Sequence, residues 1–252
     1  MLRFVTAFCC LLGLAGPVLS AEPFQFPDDQ EEADFITNEV IATFYHELGH
    51  GLINVLNIPV LGKEEDAADM LSVIMMNDIW DEEAATAILT SDATSYALRA
   101  ADPNSTPDEN SFADVHSLDI QRYYSVVCLF YGANPDKRKQ LASDLKLPED
   151  KLDSCPDEYE SARKAWDTVL EGTDPGPDKK GLVMAPGQKG IPLADILAEE
   201  VSGLNEKIGL PEEITVTVAD CGEANAFYNS NDKTITMCNE YAEDLQKLWE
   251  AQ

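Results

Sequence analysis

The sequence predicts a predominantly helical α+β fold with a small antiparallel sheet towards the C-terminus. Through most of the chain, apolar residues recur at three- and four-residue steps. Ile36, Val40, Ile41, Phe44, Leu48, Leu52 and Val55 are one such series, the spacing of a single helix face. Only between Glu213 and Met237 do short β-branched and aromatic runs replace that pattern, around an Asn-Ser-Asn-Asp turn.

In chain order, Met1 to Ser20 reads as a signal peptide. Arg3 precedes an apolar run from Phe4 to Leu14, and small residues follow around Val18-Leu19-Ser20-Ala21. That run is short for a membrane span, and no later stretch reaches span length. Residues 21–252 then form one domain, long enough for a sizeable core. A first helix covers Ile36 to Val55, and Pro59 and Gly62 break it and let the chain reverse. A second helix starts at Glu64, and helical character continues from Trp80 to Leu98. Ala101 to Ser111 is polar and carries two prolines, hence an exposed loop.

Val115 to Gly132 predicts a mostly buried helix through Leu118, Tyr123, Val126, Val127 and Phe130. Lys137–Leu147 and Tyr159–Leu170 follow as shorter helices. The stretch from Glu171 to Gly190 is rich in Gly, Pro, Lys and Asp, and reads as a linker or a lid. Ile191 to Ile208 is amphipathic. Strands are expected at Thr215–Val218, Ala226–Tyr228 and Thr234–Met237, before a last helix from Glu240 to Trp249.

The formal net charge is −30, which argues against nucleic acid or anionic membrane as a partner, since both would repel it. Of six cysteines, Cys9 and Cys10 lie in the leader. Cys128, Cys155, Cys221 and Cys238 remain, and in an exported chain they suggest two disulfides, with neighbours paired. No C-x-x-C occurs to support a cysteine metal site.

The chemistry concentrates in Tyr45 to Met76. His46-Glu47-Leu48-Gly49-His50 has the form H-E-x-x-H, and residues four apart share a helix face, so both imidazoles can reach one cation. Such a pair suits zinc with a water in its open position and Glu47 to deprotonate that water. A catalytic zinc usually has a third protein ligand. Glu65 is assigned that place, with Asp69 next in line, on a run whose small Ala67 and Ala68 let two helices approach. Asp69 is also expected to accept the free ring N–H of a ligand His.

H-E-x-x-H followed by E-x-x-x-D resembles the glutamate-type zincins, the thermolysin-like metallopeptidases, although the step from His50 to Glu65 is shorter here. The segments HELGHGLINVLNIPVLGKEEDAAD, HSLDIQRYYSVVCLFYG and CGEANAFYN…ITMCNEY resemble a bacterial metallopeptidase family of unknown substrate. The resemblance implies a zincin-like helix pair around one Zn2+ and hydrolysis of a peptide or protein substrate. It names no substrate.

Two further residues are candidates for the oxyanion that forms during such a reaction, His116 and Tyr228. His116 opens the predicted helix, with Asp119 and Arg122 following at three-residue steps, so it could equally be a capped structural residue. Asn225-Ala226-Phe227-Tyr228 could pair in extended form with substrate backbone, although in thermolysin-like enzymes that strand precedes the motif. The rival reading is an exported zinc-binding protein without catalysis, its site closed by a fourth ligand from His116 or Asp69.

Overall fold

The computed structural model describes residues 23–103 and 106–252. The predicted signal peptide lies outside the described residues. The elements are α1 (Gln30–Val55), α2 (Glu64–Ile79), α3 (Glu82–Ala101), α4 (Glu109–Ala113), α5 (Asp119–Ala133), α6 (Pro135–Asp144), α7 (Glu149–Leu152) and α8 (Cys155–Leu170), followed by β1 (Leu182–Met184), α9 (Pro192–Asn205), β2 (Ile214–Ala219), β3 (Ala226–Asn229), β4 (Thr234–Cys238) and α10 (Asn239–Glu250). The fold is α+β and predominantly helical, as the periodicity predicts.

The long helix α1 is the axis of the molecule. Asp29 caps its start, accepting the Glu32 N–H at 3.0 Å. Ile36, Phe44, Tyr45, Leu48 and Leu52 are almost wholly buried, and helices α2, α3, α9 and α10 and the sheet pack around them. The helix stops before Pro59. Asn57 adopts φ 52°, and the Ile58 N–H bonds back to the Ile53 carbonyl, a Schellman-type ending that satisfies the last carbonyls.

Helices α1 and α2 approach closely because Gly49 faces Ala68. A Cβ on Gly49 would sit 3.0 Å from the Ala68 Cα. On the other side of α1, Gly51 faces Ile214 and the Tyr228 ring, which brings β2 and β3 against the same helix.

The sheet corrects one expectation. It has four strands in the order β1-β2-β4-β3, and it is mixed, not antiparallel. Strand β2 runs parallel to both β1 and β4, and only β3–β4 is antiparallel. The parallel β1–β2 pair is made by the α9 crossover, the usual way to join parallel neighbours. Strand β1, only three residues long, lies inside the stretch read as a linker or lid. Lys180 pairs with Leu210, and the Asn205 amide bonds both the N–H and the carbonyl of Leu182 at 2.8 Å.

The neighbour pairing of cysteines is observed. Cys128–Cys155 joins α5 to α8, and Cys221–Cys238 ties the loop after β2 to the end of β4. Helix α5 begins at Asp119, not Val115. The Asp114 side chain accepts the His116 N–H at 2.8 Å, and this local turn competes with the helix, so His116 lies in the bend before it.

Candidate metal centre

His46 and His50 project from one face of α1, and Glu65 reaches them from the first turn of α2. His46 Nε2 and His50 Nε2 are 3.2 Å apart, and both lie against Glu65 Oε2, at 3.3 and 3.2 Å. Four ligands around a zinc at about 2.0–2.1 Å stand about 3.3–3.4 Å from one another in a tetrahedron. The three donor atoms therefore match one face of such a site.

The surroundings of the imidazoles point the same way. His46 Nδ1 lies 2.7 Å from Asp69 Oδ1, and His50 Nδ1 lies 2.9 Å from Glu64 Oε1. An imidazole that donates its Nδ1–H to a carboxylate presents a lone pair at Nε2. Here two such lone pairs and a carboxylate oxygen converge. They need a cation between them, or protons in its place.

Without metal, protons fill the role. Burial pulls His46 down, but hydrogen bonds to Asp69 and Glu65 outweigh it and carry the residue up to about 9. His50 is raised as well, the Glu65 and Glu64 carboxylates overcoming its burial. Burial alone would raise Glu65 and Asp69. The imidazoles around Glu65, and His46 with Arg122 around Asp69, hold both well below the usual carboxylate range.

Glu47 is 7 % exposed and lines the same cleft as the ligands, an open space of about 770 Å³. Burial pushes its carboxyl up, against the pull of both imidazoles; the Tyr228 backbone N–H also lowers it. The cleft runs between α1, the start of α2, the bend around His116 and strand β3. Strand β3 is an edge strand, bonded on one side only, and its residues Ala226 to Tyr228 form part of the cleft wall.

The observation that decides the family lies in the sequence match as a whole. A family model described as putative metallopeptidase matches residues 20–170 and 185–252. The chain belongs to that family. No curated protein and no solved structure matches it. For a putative metallopeptidase, a metal is implied, and the donor set of His46, His50 and Glu65 fits one.

The other candidates fall into place around that set. Asp69 touches His46 and stays out of the ligand face. His116 lies 3.2 Å from Glu65 Oε2 through Nε2, with Asp114 on its Nδ1 at 2.9 Å. It stands outside the group of mutually close donor atoms and meets it through Glu65. Tyr228 directs its hydroxyl to Asn54 Oδ1 at 2.8 Å, one helical turn beyond His50. Arg122 grips Asp69. Glu64 and Asp114, the carboxylates behind His50 and His116, carry no recognisable signal in the sequence. At a helix start and in a loop, such acids are ordinary.

Proposed function

We propose that this protein is an exported zinc-dependent metallopeptidase in which Glu47 is the general base. The observation that carries the proposal is the ligand face of His46, His50 and Glu65, opening on a cleft that Glu47 also lines. A zinc ion held there supplies Lewis acidity and lowers the pKa of a water towards about 7.

The chain's own residues do the rest. Glu47 takes the proton of the attacking water and passes it to the leaving amine, a task that suits a carboxyl raised by burial. Asp69 and Glu64 hold the His46 and His50 rings in the ligating tautomer. Peptide backbone lies along the free edge of β3. His116 and Tyr228 line the same cleft, and they would serve as donors for the developing oxyanion once turned from Glu65 and Asn54. Export accords with two disulfides and with the absence of any helix long and apolar enough to cross a membrane among the described residues.

Glu47→Gln tests the mechanism. It is expected to bind one zinc per chain and to lose turnover of a peptide library by a factor of about 10² or more. Turnover retained in that variant would remove Glu47 from the mechanism.

The contact of His116 with Glu65 favours a second reading, a closed structural site with His116 as the fourth ligand. Zinc lost from His116→Ala, with no peptide cleaved by the wild type, would establish it.

A further inference from the structure

Behind Glu47 and His46 the cleft continues into a smaller chamber of about 180 Å³, bounded by α1, α3, α5 and α10. Three acids line it, Glu47 at the side shared with the cleft, and Glu39 from α1 and Asp92 from α3, which are only 3 % and 6 % exposed. Glu39 Oε1 accepts the Tyr241 hydroxyl at 3.1 Å, while Glu39 Oε2 has no partner. Asp92 has Glu39, Asp69 and Arg122 among its charged neighbours. A buried carboxylate oxygen without a partner, as at Glu39 Oε2, is costly and calls for a reason.

The cations nearby do not provide one. Arg122 spends Nε and Nη2 on Asp69, and Arg99 Nη2 bonds Asp244 at 2.9 Å. With these partners counted, and with His46 and His116 in the chamber wall included, Glu39, Glu47, Glu65, Asp69, Asp92, Asp114 and Asp244 face Arg99, Arg122, His46 and His116. Burial, reinforced for Asp92 by the neighbouring Glu39, pushes the two inner acids up.

Size and access narrow the class of cation. A space of about 180 Å³ admits one long unbranched side chain with its terminal group. The chamber shares Glu47, Asn225 and Ala226 with the main cleft, so a side chain of an extended peptide on β3 can enter it. Tyr96 and Ala42 offer apolar surface to the stem, and Glu39 and Asp92 offer carboxylates to a terminal ammonium.

We propose that this chamber is a specificity subsite for a lysine side chain of the substrate, with Glu39 and Asp92 receiving the ammonium. The proposal rests on the peptidase reading for its substrate, and its test separates the two. Octapeptides that carry lysine or its uncharged isostere norleucine at each position in turn are offered to the zinc-loaded protein, and the products are sequenced. The same peptides are titrated calorimetrically into Glu47→Gln, which reports binding without turnover.

The wild type is expected to prefer lysine at one position beside the scissile bond by at least about tenfold, and Glu47→Gln to show the same preference in affinity. Asp92→Asn, or Glu39→Gln if the first variant folds poorly, should reduce the lysine-to-norleucine ratio about tenfold. Cleavage with equal ratios in wild type and variants overturns the subsite and leaves the peptidase standing. A binding preference that Asp92→Asn abolishes, without cleavage of any peptide, does the reverse. A second zinc equivalent in the wild type, lost in Asp92→Asn, would make the chamber a metal site and overturn the lysine proposal.

Discussion

Arg122 grips Asp69 with two parallel hydrogen bonds, Nε to Oδ2 at 2.8 Å and Nη2 to Oδ1 at 2.7 Å. The same Oδ1 faces His46 Nδ1 at 2.7 Å, so the guanidinium fixes the carboxylate that fixes the ring. Arg122 is itself held over the Tyr96 ring, 4.4 Å from its centre. A chain of three side chains from α5 to α1 thus orients one metal ligand. Asp69→Asn and Arg122→Met should each weaken zinc binding about 10–100-fold. Competition against a chelating dye measures this, and an unchanged affinity in both variants would dissociate the chain from the metal.

Gly49 is the residue that lets α2 carry Glu65 to the histidines. In Gly49→Ala, the new methyl would meet Ala68 Cα at 3.0 Å and the Ala68 carbonyl oxygen at 3.3 Å, both backbone atoms. Helix α2 must then move away. The expected cost is about 1–3 kcal/mol in urea unfolding, with weaker zinc binding beside it. Stability and zinc affinity both at the wild-type level would show that the helix pair has slack.

On the proposed zinc assignment, metal and protons compete for the same lone pairs. His46 is raised to about 9 without metal, so zinc binding at neutral pH would expel a proton from it. Apparent affinity should therefore fall about tenfold for each pH unit below about 9 per proton displaced. Titrations at pH 7, 8 and 9 in matched buffers test the slope. A flat profile would mean that His46 is already unprotonated in the free protein.

Glu39 makes stability depend on pH in the opposite sense to a salt-bridged carboxylate. Burial raises it from 4.5 to about 7, so across that window the folded state holds a proton that the unfolded chain has released. Its contribution to stability is therefore lost as pH rises from about 4.5 to about 7, by up to about 3 kcal/mol for a shift of that size. Glu39→Gln should gain over the wild type at pH 8 and not at pH 4. Denaturant unfolding at both pH values measures the difference. An equal effect at both would assign it to packing.

The convergence of His46, His50 and Glu65 is legible in the sequence because its geometry is local. His46 and His50 are one turn apart on a helix whose apolar spacing is unmistakable, and Glu65 and Asp69 repeat the same step on the next helix. The cysteine pairing was legible for a related reason, since each bridge closes a short stretch of chain. What stayed hidden depended on distant parts meeting. The Tyr228 amide comes to Glu47 only through the sheet, and a parallel β1–β2 pair cannot be read from a three-residue run in a Gly- and Pro-rich stretch. The helical spacing from Leu118 to Phe130 predicts a helix that takes in His116, whereas α5 begins at Asp119. The periodicity could not register that the Asp114 side chain would hold the preceding residues in a turn.

The centre is assembled from two kinds of neighbour. Its ligands lie between His46 and Glu65, on consecutive helices, whereas the facing wall at Asn225 to Tyr228 arrives from the far end of the chain. Contacts close in sequence form at little entropic cost, and distant ones come late. A growing polypeptide can thus gather its candidate metal donors well before it has formed the facing wall. On the peptidase reading proposed above, cleavage would wait for the last strands, and an unfinished molecule would lack the groove that holds a substrate.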